Sequence, residues 1–288
     1  MPDQAPITAV FPVVDRSDEA IKTLQALYGC DPVPQQIIVY VDGGSAETIT
    51  AIRSRFAEVD ILFGRDRCGP GGARNQLVRA ARHEMVASFD DDSRPNDPGF
   101  FARVLETAGK FPEAAVLSAA SQMSESSIPD FLRLACPSGC GCVFRKGWFL
   151  RTSGFVPLQV AFNMEETDIG LQLQEIGGMV VHDPKLRVLH EHPQPRALTG
   201  EESALVLANT VLLPFLRYPI VLLPLALGHL VSQIRNYVHR GWAGDIIPGL
   251  RLIPGHLWKN RHYRMPVSTR AVLDWLRLRR RPDSIGKA

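Results

Sequence analysis

The sequence predicts an α/β fold, a mixed and mostly parallel sheet flanked by helices, followed by a helical, apolar and basic C-terminal extension. Three observations predict it. Short β-rich apolar runs alternate with helical segments from residue 7 to about residue 189, two of those runs end in Asp-containing turns, and the composition changes after about residue 200. A chain of 288 residues can bury a sizeable core, and 45% apolar with 22% charged residues excludes wholesale disorder and a polytopic membrane protein.

Taken in order, residues 7–14 (ITAVFPVV) and 36–41 (QIIVYV) read as strands, and residues 18–28 between them carry Ile21, Leu24 and Leu27 at helical spacing. The second strand runs into Asp42-Gly43-Gly44-Ser45, then a helix over 46–56 and a third strand over 59–63. A loop rich in Gly and Arg (64–72) precedes a helix over 73–82 and a fourth strand over 85–89, which ends in three aspartates. Right-handed crossovers make a parallel sheet the simplest way to join these units, and their ligand-binding loops then gather at its C-terminal edge.

Residues 211–231 (VLLPFLRYPIVLLPLALGHLV) are almost wholly apolar yet contain Arg217 and prolines 214, 219 and 224. A mid-span Arg costs roughly 3 kcal/mol on insertion, which disfavours a clean transmembrane helix. Interfacial or re-entrant membrane contact and a buried core or dimer helix are the other readings. From Arg235 onward twelve Lys and Arg face three Asp, so this tail carries +9 and the rest −7. That asymmetry predicts an anionic surface as partner for the tail and argues against a nucleic-acid binder. Five cysteines and an N-terminus without a basic, then apolar, leader predict a reducing cytoplasm. Cys136, Cys140 and Cys142 match no paired metal-ligand spacing, and tight packing beside Gly139 and Gly141 is the favoured reading.

The main chemical signal is Asp90-Asp91-Asp92 directly after an apolar strand, because carboxylates are the oxygen ligands that Mg²⁺ or Mn²⁺ takes alongside diphosphate oxygens. A solvated turn is the alternative for the triplet alone. It stands in order with Phe11-Pro12-Val13-Val14-Asp15-Arg16, Val41-Asp42-Gly43-Gly44-Ser45, Gly69-Pro70-Gly71-Gly72-Ala73-Arg74-Asn75, Met164-Glu165-Glu166-Thr167-Asp168 and Val188-Leu189-His190-Glu191-His192. Over roughly the first 200 residues this series resembles the family 2 glycosyltransferases, inverting enzymes of the GT-A fold.

The resemblance implies a nucleotide-diphosphate sugar donor, a Mn²⁺ or Mg²⁺ cofactor and a glycan, lipid-linked or small-molecule acceptor. It implies donor contacts from Pro12, Asp15, Asp42, Arg74, Asp90 and Asp91, with Asp92 and His190 on the metal and His192 as the alternate. The catalytic base is Glu166, with Asp168 the second candidate. The sequence departs from the family pattern at Asp15, where Asn is usual, at Gly43, where a second Asp is usual, at Glu166 in place of Asp, and at Gln172 in place of Arg. The implied organisation is a catalytic domain over 1–200 and a membrane-associating or oligomerising extension over 201–288, at the inner face of the cell membrane. Two other readings compete: an inactive membrane scaffold or sugar-binding protein of the same fold, and a sugar nucleotidyltransferase. The nucleotidyltransferase would usually carry its Gly-rich loop after the first strand, whereas here it follows the third.

Overall fold

A computed structural model of the chain describes residues 3–121, 130–162, 164–191 and 198–287. The first half alternates as expected. Strand β1 (Gln4–Val13) leads to helix α1 (Ser17–Tyr28), β2 (Val33–Asp42) to α2 (Ala46–Arg55), and β3 (Asp60–Gly64) to α3 (Gly69–Ala80) before β4 (Met85–Ser88). Helix α1 has Asp18 and Glu19 in its first turn, where carboxylates oppose the positive helix end, and buries Ala20, Ile21, Leu24 and Leu27. Helix α3 begins at Gly69, inside the expected loop, because Pro70 is preset for a first helical turn.

The second half adds the short β5 (Ser93–Pro95), α4 (Phe100–Lys110), β6 (Ala114–Ser121), β7 (Asp130–Leu134), β8 (Cys142–Arg145), α5 (Lys146–Leu150), α6 (Glu165–Glu175) and the long β9 (Met179–His190). Four helices follow, α7 (Gly200–Arg217), α8 (Pro224–His239), α9 (Ile246–Asn260) and α10 (Thr269–Arg280), and a last strand, β10 (Asp283–Lys287). The sheet runs β10-β7-β9-β6-β8-β4-β1-β2-β3, with β5 paired to β9. Strands β3, β2, β1 and β4 are parallel, and β8 is antiparallel to both β4 and β6.

Alternate residues of β1 enter cores on opposite faces. Ala9 and Phe11 join one with α1 and α4, and Val10 joins the other with α3 and α6. Burial on both faces is why these strands read as unbroken apolar runs.

The apolar stretch 211–231 is divided by its prolines. Pro214 lies inside α7, Pro219 precedes a single 3-10 turn, and Pro224 opens α8. Among the described residues no helix is long and apolar enough to cross a membrane. Helix α7 starts on a capping box made by Thr199 and Glu202, and its Leu212 and Leu216 pack on Val156, Leu158 and Met164. Each such leucine contributes about 1.5–3 kcal/mol on full burial. Trp275 and Val272 of α10 close a further cluster on Leu171 of α6.

All five cysteines are free thiols. Cys140 and Cys142 are buried around Gly141, whose φ of 70° suits glycine.

Candidate active site

Parallel pairing brings the C-terminal ends of β1, β2 and β4 together, the edge at which open α/β sheets bind ligands. Pro12 and Asp15 lie at the end of β1, and Phe89 N donates to Val10 O, which sets Asp90 alongside. Asp42 is buried, with Oδ1 accepting from Cys68 N at 2.8 Å and Oδ2 from Gly69 N at 2.9 Å. It therefore anchors the Gly-rich turn. At Gly69, with φ 75°, an added Cβ would stand 2.0 Å from Leu158 O, so the turn requires glycine. Asp15 is exposed and accepts from Ser45 N at 2.9 Å, with Arg67 3.5 Å away.

The acidic triplet meets β9 through the β5 pairing, which sets Ser93 opposite His190. His190 Nε2 then stands 3.2 Å from Asp92 Oδ1, and Asp90, Asp92 and His190 each place a ligating atom within 4.8 Å of the others'. Arg16 bridges the other side, at 2.9 Å from Asp91 Oδ1 and 3.2 Å from Asp92 Oδ2.

These neighbours shift adjacent carboxyls in opposite directions. Burial pushes Asp91 up to about 7 despite Arg16. Burial acts the same way on Asp92, but the His190 hydrogen bond and Arg16 outweigh it and hold that carboxyl below its ordinary value. The Asp92 bond raises the His190 imidazole in return. The alternate imidazole, His192, lies outside the described residues.

Arg74 is buried on α3 and pairs with Asp90 and, at 2.7 Å, with Glu165 of α6. Burial raises Glu165 to about 7 against the pull of Arg74. The next residue, Glu166, has no side-chain partner among the described residues, and burial raises its carboxyl. It lines a cleft of about 680 Å³ between the loop at 136–139 and α7, α8 and α10.

Asp168, two residues further on, is buried and bound by Arg217 through Nε and, at 3.1 Å, through Nη2. Arg217 also donates to Ser153 Oγ at 3.2 Å and to the carbonyls of Tyr263 and Met265. The guanidinium beside Asp168 thus comes from α7, while Gln172 bonds Ser153 and the Gly154 carbonyl.

Residues 9–147 match the family described as Glycosyl transferase family 2. Over those residues the chain is similar to the family 2 glycosyltransferases. Its fold is GT-A, shared with a mannosyltransferase from Pyrobaculum calidifontis solved with GDP-Man and Mn²⁺, at 15% identity, TM-score 0.60, and coverage of 96% of this chain and 89% of that one. TarS residues 1–349 from S. aureus align at 12% identity and TM-score 0.55, covering 87% and 91%. GalNAc-T7, solved with UDP, GalNAc and Mn²⁺, aligns at 13% and TM-score 0.60 over 75% of this chain and 48% of its own. No curated protein sequence matches the chain.

Three side chains beyond the sequence-derived set shape the site. Arg16 and Glu165 sit inside motifs quoted above, and their pairing with Asp92 and Arg74 depends on tertiary placement of distant segments. Arg217 carries only one signal in the sequence, a charge isolated in an apolar run, which reads equally as a membrane feature.

Proposed function

We propose that the chain transfers a sugar from a nucleotide-diphosphate donor to an acceptor hydroxyl in a single inverting displacement, with Glu166 as the base. The observation that carries this reading is the position of Glu166. It is a carboxylate without a side-chain partner among the described residues, adjacent in the chain to the Asp90–Arg74–Glu165 network and lining an open cleft. On this reading Pro12, Asp15, Asp42, Arg74, Asp90 and Asp91 contact or shape the donor site. The carboxylate oxygens and imidazole of Asp90, Asp92 and His190 fit Mn²⁺ or Mg²⁺, hard or borderline cations that take such ligands. When bound, the ion neutralises charge on the departing diphosphate. Asp168 serves as the anchor of α6, since both its oxygens are occupied by Arg217.

The decisive experiment is a donor screen by mass spectrometry. The full chain is mixed with Mn²⁺ or Mg²⁺ and UDP-, GDP- or dTDP-sugars, and nucleotide diphosphate release is scored. Release from one donor that requires the metal and is lost in Asp92→Ala is expected. No release and no donor binding across the panel, from folded protein with a lipid acceptor present, would favour an inactive scaffold.

Because burial raises the Glu166 carboxyl and the base must be ionised, activity falls on the acid side at a higher pH than an ordinary glutamate would give. An acid limb of kcat/KM at or below the ordinary glutamate range would count against Glu166.

Residues 201–288 form a membrane-facing extension in this reading. Ile220, Val221, Leu227, Val231, Val238, Ile247 and Trp258 are each more than half exposed, and Arg235, Arg240, Arg251, Lys259 and Arg261 are exposed along the same segment. Apolar side chains flanked by cations suit the face of an anionic bilayer, with the chain peripheral at the cytoplasmic side. Sedimentation with anionic vesicles that weakens with salt is expected. Equal binding to neutral vesicles, or none to either, rejects this placement.

A further inference from the structure

We propose that the cleft beside Glu166 binds an acceptor carrying an anionic group, a phosphate ester above all, which Arg279 holds while the reacting hydroxyl faces Glu166. This rests on the transfer reading above and adds the acceptor's class to it.

The first argument is position. The cleft shares Pro137, Gly139 and Glu166 with a small void that reaches Arg74 and Glu165, so it adjoins the donor network. None of Pro12, Asp15, Asp42, Arg74, the Asp triplet or His190 lines the cleft itself. It is therefore separate from those residues and meets their network at Glu166, which places an acceptor hydroxyl in the cleft within reach of the base. Its volume of about 680 Å³ falls in the range of small-molecule sites.

The second argument is charge. The titratable side chains facing the cleft are Cys136 from the loop, Glu166 from α6, Tyr218 after α7, His229 from α8 and Arg279 from α10. Burial and then Arg279 lower the His229 imidazole, and burial raises the Cys136 thiol and the Tyr218 phenol. Among the described residues that line the cleft, Arg279 is left as the positive charge. On the same helix Arg270 is 3.7 Å from Asp274 and Arg277 is 2.8 Å from Asp283, whereas Arg279 pairs with no carboxylate among the described residues. Its guanidinium lies 5.1 Å from the Trp275 ring centroid, which gives the fork a fixed seat. An exposed guanidinium beside a partly apolar wall of Leu213 and Phe162 is suited to a phosphate, which it can engage through two parallel hydrogen bonds.

The test uses the full chain and two matched probes, hexyl β-glucoside and the same glycoside phosphorylated on its sugar, titrated by calorimetry. The phosphorylated probe is expected to bind at least ten-fold tighter than the neutral one. Arg279→Gln is expected to remove that preference and Arg279→Lys to restore part of it, and the exposure of Arg279 lets both variants fold. Equal binding of the two probes, binding of neither, or a preference that survives Arg279→Gln overturns the proposal.

A dodecyl form of the phosphorylated probe distinguishes the two sources of the phosphate. Tighter binding than the hexyl form supports a lipid-linked acceptor, and equal binding supports a soluble one. The donor screen on the unmodified chain judges the transfer reading separately. Selective probe binding without nucleotide release would leave the anion site standing and remove the reaction, and release without selectivity would do the reverse.

Discussion

Glu166→Gln is expected to cut turnover by about 10²- to 10⁴-fold, the range that a positioned general base contributes. The substitution is nearly isosteric and removes only the capacity to take a proton, so donor and metal affinity stay within about twofold if donor recognition lies on the other side of Glu165. The loss belongs in kcat. A variant that kept turnover within ten-fold of the parent would remove Glu166 from the reaction.

Asp168→Asn provides the contrast, because its carboxylate is buried against Arg217 and does not line the cleft. Its defect is expected in the melting curve first.

Arg217→Leu is expected to destabilise the fold by about 3–5 kcal/mol, the usual consequence of leaving one charge of a buried pair without its partner. Arg217 and Asp168 are both essentially inaccessible to solvent, so water cannot replace the lost guanidinium without opening the core. Three further acceptors, Ser153 Oγ and the carbonyls of Tyr263 and Met265, lose their donor at the same time. For a chain of this size the fall in melting temperature is roughly 6–20 °C.

The double variant Asp168→Leu/Arg217→Leu separates charge from packing. It is expected to recover part of the loss, since a buried pair replaced as a whole is often close to neutral. A double variant as unstable as the sum of the single changes would mean that the pair is not the source of the effect.

How much of this was legible in the sequence depended on the range of the interaction. Strands β1 to β4 and their helices are specified by local periodicity, and their observed ends fall within three residues of the expected ones except where Pro70 starts α3 early. The triplet Asp90-Asp91-Asp92 follows β4 and His190 ends β9, and the two were visible as separate signals. Their meeting depends on the β5–β9 register, which no local pattern encodes.

The Arg74–Glu165 and Arg217–Asp168 pairs span 91 and 49 residues, and ion pairs at such separations leave no trace in composition or spacing. The strand β10 was missed for another reason. Its Asp283-Ser284-Ile285-Gly286-Lys287 is polar and Gly-containing, and it pairs because β7 offers an open edge, which is a tertiary cause.

The β10–β7 pairing also bears on where the chain can be cut. The end of the basic tail is woven into the same sheet as the strands that lead to Asp42 and the Asp triplet, and Lys110 Nζ donates to the Lys287 carbonyl at 2.8 Å to fasten it. The residues before and after position 200 therefore share one sheet and one core cluster. A fragment ending at residue 200 would keep Asp42, Arg74, the Asp triplet, Glu166 and His190, yet it would bare the β7 edge and strip Leu171 of Trp275 and Val272. An uncovered strand edge beside newly exposed apolar surface recruits other chains, so such a fragment is expected to self-associate instead of reporting the isolated activity of the domain.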